Sequence, residues 1–189
     1  MNWITKFIKP KITSLFKKRT SDSEHVLWTT CDCKNLIYKE DLQNNLNCCP
    51  KCGSHHKLNC KERFQIFFDE KEFKIIQTPM PKDDPLKFID NKKYVDRLKS
   101  ARKITKQDDA VAIATGKVKN IQVTVGAQDF RFIGGSFGAA SGEAFIHGVQ
   151  HAIDNKNPFI FFSCSGGQRM MESSIALMQM SRTVLAVNE

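Results

Sequence analysis

No uninterrupted apolar run in the 189 residues approaches the ~18–20 that a spanning helix needs, so the chain reads as soluble. Acidic residues are also scarce: 20 Asp and Glu stand against 29 Lys and Arg, a net charge of +9. Such a surface favours anionic partners, whether nucleic acid, an acidic membrane face or a phosphate-bearing metabolite. The sequence shows no secretion signal, which removes the extracellular disulfide scaffold, and it shows no internal repeat. Apolar content is ordinary at 41%, with 14 Phe to fill a core, so collagen-like and wholly disordered chains are excluded. The length suits one sizeable domain, or a small module followed by a medium one.

The cysteines point to a metal. Five of the seven (Cys31, Cys33, Cys48, Cys49 and Cys52) fall within 22 positions. Cys49-Pro-Lys-Cys52 places two thiols at i and i+3 on a tight turn closed by Gly53, and Cys31-Asp-Cys33 stands upstream as its partner. Two such knuckles close a four-thiolate tetrahedron around zinc, which leaves no open position and makes the metal structural. Cys-x-Cys is one residue short of the usual knuckle, so Cys48, His55 or His56 is a possible substitute ligand. Clustered thiols also imply a reducing compartment. The cytoplasm is favoured over an organelle stroma or matrix.

Three stretches follow from composition: a basic segment 1–24, a cysteine module 25–60 and an α/β region 61–189. The first holds Lys6, Lys9, Lys11, Lys17, Lys18 and Arg19 among apolar residues. It reads as a segment packed on its own protein, or alternatively as a transit peptide or surface-binding helix, with Pro10 interrupting any helix. Phe64, Phe67 and Phe68 have helical spacing and are expected in the core. Residues 87–102 read as a solvated helix. Residues 110–115 and 121–125 read as a hairpin joined through Gly116-Lys-Val-Lys-Asn120, and 129–133 as a further strand. A helix over 136–153, a buried strand over 158–162, a glycine turn and a helix over 168–187 complete an α/β order.

The glycines fail several tests. Gly134-Gly-Ser-Phe-Gly138 lacks the G-x-G-x-x-G spacing and no G-K-[ST] occurs, so dinucleotide and P-loop readings are excluded. Ser163-Cys-Ser-Gly-Gly167 lacks the flanking glycines of a nucleophile elbow, and Cys164 reads as a small buried residue. What remains is the backbone. A strand entering Gly166-Gly167 at a helix start would aim N–H groups at one spot, suited to an oxyanion such as a thioester enolate, although a plain strand-to-helix turn has the same pattern.

Several of these segments together resemble one family. Phe132-Ile-Gly-Gly-Ser-Phe-Gly138, Phe162-Ser-Cys-Ser-Gly-Gly-Gln-Arg-Met170 and Ile175-Ala-Leu-Met-Gln-Met180 are similar to the bacterial acetyl-CoA carboxylase carboxyltransferase β-subunit family. So are Leu27-Trp28-Thr29, Cys49-Pro-Lys-Cys52 with His55-His56 behind it, and Asp90-Asn-Lys-Lys-Tyr-Val-Asp-Arg97. The resemblance implies a zinc ribbon followed by a crotonase-type β-β-α domain, with Cys31, Cys33, Cys49 and Cys52 as zinc ligands. It implies Gly166 and Gly167 as backbone oxyanion donors. It further implies an α2β2 assembly with a carboxyltransferase α subunit, served by a biotin carboxyl carrier protein and an ATP-dependent biotin carboxylase. Carboxybiotin there carboxylates acetyl-CoA to malonyl-CoA for fatty-acid synthesis, and the biotin ureido group takes the α-proton.

Three departures accompany the resemblance. The first knuckle is short. Where the family reads G-G-A-R-M-Q-E, Gln168 replaces Ala and Met171 replaces Gln, while Glu172 stays. The chain stops at Glu189, before the family's second glycine turn T-T-G-G, so a partial crotonase domain, a β subunit cut short, is expected. The competing readings are a truncated non-catalytic remnant and a zinc-ribbon protein that binds RNA or DNA through its charge. No aromatic-basic RNA motif favours the latter.

Overall fold

The structure, a computed structural model, describes residues 27–189. The basic segment 1–24, with its alternative readings, lies outside the described residues. The chain divides into two units, Met1–His55 and His56–Glu189. In the first, β1 (Trp28–Thr30) and β2 (Leu36–Tyr38) pair antiparallel and α1 (Lys39–Asn44) follows. Among the described residues of this unit, the core is Ile37 and Leu42 packed with Cys31 and Cys49. So small an apolar cluster does not offset the entropy of ordering the segment, and a further tie is needed.

The second unit begins with α2 (Cys60–Phe67), started by a reciprocal cap: Asn59 Oδ1 accepts from Glu62 N and Glu62 Oε2 accepts from Asn59 N. Then come β3 (Phe73–Ile76), α3 (Tyr94–Thr105), β4 (Val111–Val118) and β5 (Ile121–Gln128). α4 (Ala139–Asp154), β6 (Phe159–Phe162) and α5 (Ser173–Asn188) end the chain. The sheet order is β3-β4-β5-β6; the first two pairings are antiparallel and β5 with β6 is parallel. α4 is therefore the crossover of a βαβ unit.

Strand alternation divides the core between two faces. Ala114, Val123, Val125 and Ala127 meet Phe64 and Phe68 of the α2 segment, joined by Ile160 and Phe162. Val111 and Ile113 meet Ala144 of α4, joined by Phe159 and Phe161. Phe64 and Phe68 are buried as the helical spacing predicts, with Phe67 partly buried against them. Among the described residues no helix is long and apolar enough to cross a membrane.

Several boundaries differ from the sequence reading, among them that of the helix read over 136–153, which runs Ala139–Asp154. The hairpin forms, but Gly116, Lys117 and Val118 belong to β4, and the turn is Lys119-Asn120, both at positive φ. Asp69 fixes that tip by accepting from both backbone amides, at 3.0 and 2.9 Å. Residues 129–133 form a turn, not a strand, because Asp129 accepts from the backbone of both Arg131 and Phe132. The helix read over 87–102 begins only at Tyr94. The last helix begins at Ser173, after a short 3-10 turn over Met170–Glu172, so the glycine turn does not open directly into it.

Candidate active site and metal centre

In the first unit, the Sγ atoms of Cys31, Cys33, Cys49 and Cys52 all lie within 4.8 Å of one another. Two edges of the group, Cys31–Cys52 and Cys33–Cys49, measure 3.6 and 3.8 Å. A tetrahedron with Zn–S bonds of ~2.3 Å has S···S edges of ~3.8 Å, whereas a disulfide needs ~2.05 Å. The donor set therefore fits zinc, and the short first knuckle reaches the cluster. Asn35 Nδ2 donates to Cys33 Sγ at 3.2 Å and lowers that thiol's pKa to about 6, favouring the thiolate that a metal requires. Cys48 is turned elsewhere, with its Sγ 3.0 Å from His55 Nδ1. Neither Cys48, His55 nor His56 joins the cluster.

In the second unit, chemistry gathers at the carboxyl ends of the parallel pair β5 and β6, where α/β sheets bind ligands. The turn after β5 carries Gly134 and Gly135, and the turn after β6 carries Gly166 and Gly167. Their backbones are joined directly: Gly166 N donates to Gly134 O, Phe137 N to Gly167 O and Arg169 N to Phe137 O, each at 2.9 Å. Gly135, at φ +64, has no room for a side chain, since an added Cβ would run into the Cys164 carbonyl oxygen. Gly167 lies at φ +121 with nothing within 4 Å of an added Cβ, so its backbone conformation rather than space demands glycine.

The two sequence-assigned glycines differ in what they offer. Gly166 N–H is engaged by Gly134 inside the joined turns. Gly167 N–H donates to Ser165 Oγ at 3.0 Å. That partner is a hydroxyl rotor, which turns away more readily than a backbone carbonyl moves. Beside Gly167 opens a cleft of ≈ 300 Å³, walled by Phe137, Phe145, Phe161 and Met180 with Gln128 at its polar side. Ser163, Ser165, Gln168 and Thr183 complete the lining, so none of the lining residues is a carboxylate, imidazole, amine or thiol. Cys164, read as buried, is only half-buried and does not line the cleft. A larger cavity of ≈ 420 Å³ lies beside the end of β3, but no residue of either glycine turn lines it.

Behind the turns sits a buried ionic cluster to which the sequence reading assigned no role. Arg169, fully buried, makes a bidentate pair with Asp109 at 2.6 and 2.8 Å. It also donates to Ser136 O at 2.7 Å and Ser136 Oγ at 3.2 Å, and to Tyr94 OH at 3.2 Å. Tyr94 OH donates to Glu172 Oε1 at 2.5 Å. Burial alone would lower the Arg169 pKa, but the Asp109 carboxylate holds it above the usual arginine value. Burial likewise pushes the Tyr94 hydroxyl up, and the Glu172 carboxylate adds to it. The other Glu172 oxygen accepts from Ala139 N at 2.6 Å, so this carboxylate sits on the positive end of α4 and caps it. With every arm engaged, Arg169 is a clamp on both turns and not a free anion receptor. Arg169 and Glu172 lie in the quoted glycine motif and Tyr94 in the Asp90–Arg97 motif, but pairing with Asp109 across 60 positions left no sequence signal.

A four-cysteine zinc ribbon followed by a mixed α/β unit of crotonase-like fold is the class of protein these elements define. The matching family models make it specific. One described as acetyl-CoA carboxylase zinc finger domain covers residues 28–52, and one described as carboxyl transferase domain covers residues 85–188. The chain belongs to the carboxyl transferase domain family, and structural zinc is the cofactor of its ribbon. The acetyl-coenzyme A carboxylase carboxyl transferase subunit beta of Pelagibacter ubique (strain HTCC1062) is 47% identical over 193 residues, covering 100% of this chain and 62% of its own length. That of Jannaschia sp. (strain CCS1) is 42% identical over 188 residues, covering 99% and 58%. The chain thus spans about three-fifths of the length of these relatives.

Solved structures agree on the fold. Transcarboxylase 12S with hydrolyzed methylmalonyl-coenzyme A bound superposes with a TM-score of 0.54 at 21% identity, over 78% of this chain and 24% of that one. A Pseudomonas malonate decarboxylase hetero-tetramer in complex with malonate gives 0.51 at 20%, over 69% and 46%.

Proposed function

We propose that this chain supplies the acyl-CoA side of a carboxyl transfer, in which carboxybiotin on a carrier protein converts acetyl-CoA to malonyl-CoA for fatty-acid synthesis. It works with a carboxyltransferase α subunit, and biotin carboxylase recharges the carrier. In this reading residues 25–60 are the ribbon, held by one zinc on Cys31, Cys33, Cys49 and Cys52, and 61–189 belong to the carboxyltransferase domain.

The observation that carries the proposal is a cleft lined by Gly167, with no ionisable side chain among the described residues that line it. A site without its own general base suits a reaction whose second substrate takes the proton, as the biotin ureido group does. The chain's share is then orientation and oxyanion stabilisation. Of the two glycine amides, Gly167 N–H is the one whose partner is a side chain: as Ser165 Oγ swings aside, giving up its own bond to Gly167 O at 3.1 Å, the thioester oxygen takes its place. Gly166 N–H holds the turn that aims it. Zinc takes no part in the chemistry: four thiolates leave it no open position, and it ties the ribbon.

The test combines the chain with an α subunit, carboxybiotin and acetyl-CoA, and follows malonyl-CoA by mass. Product that requires every component is expected. Carboxylation of a different acyl-CoA in preference to acetyl-CoA would reassign the substrate, and no transfer to any acyl-CoA would end the proposal.

A further inference from the structure

The last residue of β5, Gln128, is 4% exposed, and its side chain reaches out between the two glycine turns. Both ends of its amide are engaged there. Nε2 donates to Gly135 O at 2.7 Å, and Oε1 accepts from Cys164 N at 3.2 Å. One side chain therefore bridges the turn after β5 to the turn after β6 through two backbone groups that no other bond pairs. It does so on the wall of the cleft that Gly167 also lines. The direct bonds between the turns lie at Gly166 and Phe137, and on the second turn they fall further along the chain from β6 than the Gln128 bridge to Cys164. Without Gln128, residues 163–165 are held to the first turn by the contact of Gly135 with the Cys164 carbonyl and by the Gly166 N–Gly134 O bond that follows them.

We infer that Gln128 is a positioning residue for carboxyl transfer: its amide joins the two glycine turns and thereby aims Gly167 N–H into the cleft. The inference rests on the function proposed above, and it makes a separate claim about the backbone. An amide is the side chain this position calls for, since one group must donate to a carbonyl and accept from an N–H at the same time. Removing it leaves Gly135 O buried without a partner and frees the half-buried Cys164 N, and the turn relaxes to satisfy them.

Gln128→Met, of similar length and without hydrogen bonds, is the test, read in the assembled enzyme by amide exchange and by steady-state kinetics. Exchange at the amides of residues 164–167 should rise about tenfold or more, as an opening less costly by roughly 1.4 kcal/mol implies, while the β4–β5 ladder keeps its protection. kcat should fall roughly 10- to 100-fold with KM for the acyl-CoA near its original value, because a misaimed donor is felt in the transition state. Wild-type exchange at 164–167 would overturn the inference, as would a uniform rise across the whole unit, which marks a plain loss of stability. Loosened turns with unchanged kcat would overturn it as well. Failure of the wild-type enzyme to carboxylate any acyl-CoA would instead count against the proposed function, and exchange would still report whether Gln128 joins the turns.

Discussion

Removing the metal should unfold the first unit and leave the second intact. Among its described residues, the first unit has two three-residue strands, one short helix and a core of a few side chains, two of them cysteines of the metal cluster. Apolar burial on that scale falls short of the cost of ordering the segment. A four-thiolate zinc site contributes on the order of 10–16 kcal/mol, and for so small a module that binding energy is the folding energy. A strong chelator should therefore abolish amide protection over residues 28–52 while the β4–β5 ladder keeps its own. Cys49→Ser combined with Cys52→Ser should remove stoichiometric zinc from the purified protein. Cys33→Ser should act more mildly, since Cys33 is only half-buried whereas Cys31 and Cys49 are buried. Full zinc content in the double variant, or a ribbon that stays protected after chelation, would show that another set of ligands or another tie holds this unit.

Arg169→Met should be the most damaging single change in the second unit. It would leave the Asp109 and Glu172 carboxylates buried with their common cation gone. Breaking a buried pair from one side costs roughly 3–5 kcal/mol, because the cost is that of an unpaired charge in a poorly solvated place. For a unit of this size the melting temperature should drop on the order of 10–20 °C. Arg169→Lys should recover only part of the loss. It keeps the charge but not the fork that meets both Asp109 oxygens and Ser136 together. Tyr94→Phe, which removes one hydroxyl from the same cluster, should cost less than either. A thermal melt that ranks these variants in another order would mean that the cluster does not act as one clamp.

The fold and the site were legible to different depths. Apolar runs exposed β4 and β5, because a strand packed between helices announces itself in Val, Ile and Ala without help from distant residues. The run over β6 also marked a strand, but it is the edge of the sheet and its four residues are half-buried rather than buried. The boundaries failed where one side chain decides. Asp129 turns the chain out of a strand by accepting two backbone amides, and Asp69 pins the 119–120 turn from 50 positions away. The four clustered cysteines and the glycine turns were visible because their chemistry is local in sequence. The Arg169 clamp and the Gln128 bridge were not, since they join residues 36 to 75 positions apart that only the βαβ crossover and α3 bring together. The replacement of the family's Ala by Gln168 finds its role only in space. With its amide nitrogen turned toward Phe137 O and Ala176 O, Gln168 donates to both at 3.0 and 2.8 Å and ties the turn to α5.

The most direct measurement of the central claim is malonyl-CoA formation by the assembled enzyme, wild type against Gly167→Ala. The variant adds a methyl group to open space, so it acts through the backbone, where φ near +121 is a conformation that L side chains rarely adopt. A turn forced away from it carries Gly167 N–H off its aim. kcat should fall roughly 100- to 1,000-fold, the loss typical of one oxyanion donor, with acyl-CoA affinity close to wild type and the melting temperature lowered by only about a few degrees. An unchanged kcat in Gly167→Ala would contradict the assignment of that N–H to the oxyanion, and with it the account of how this site promotes carboxyl transfer.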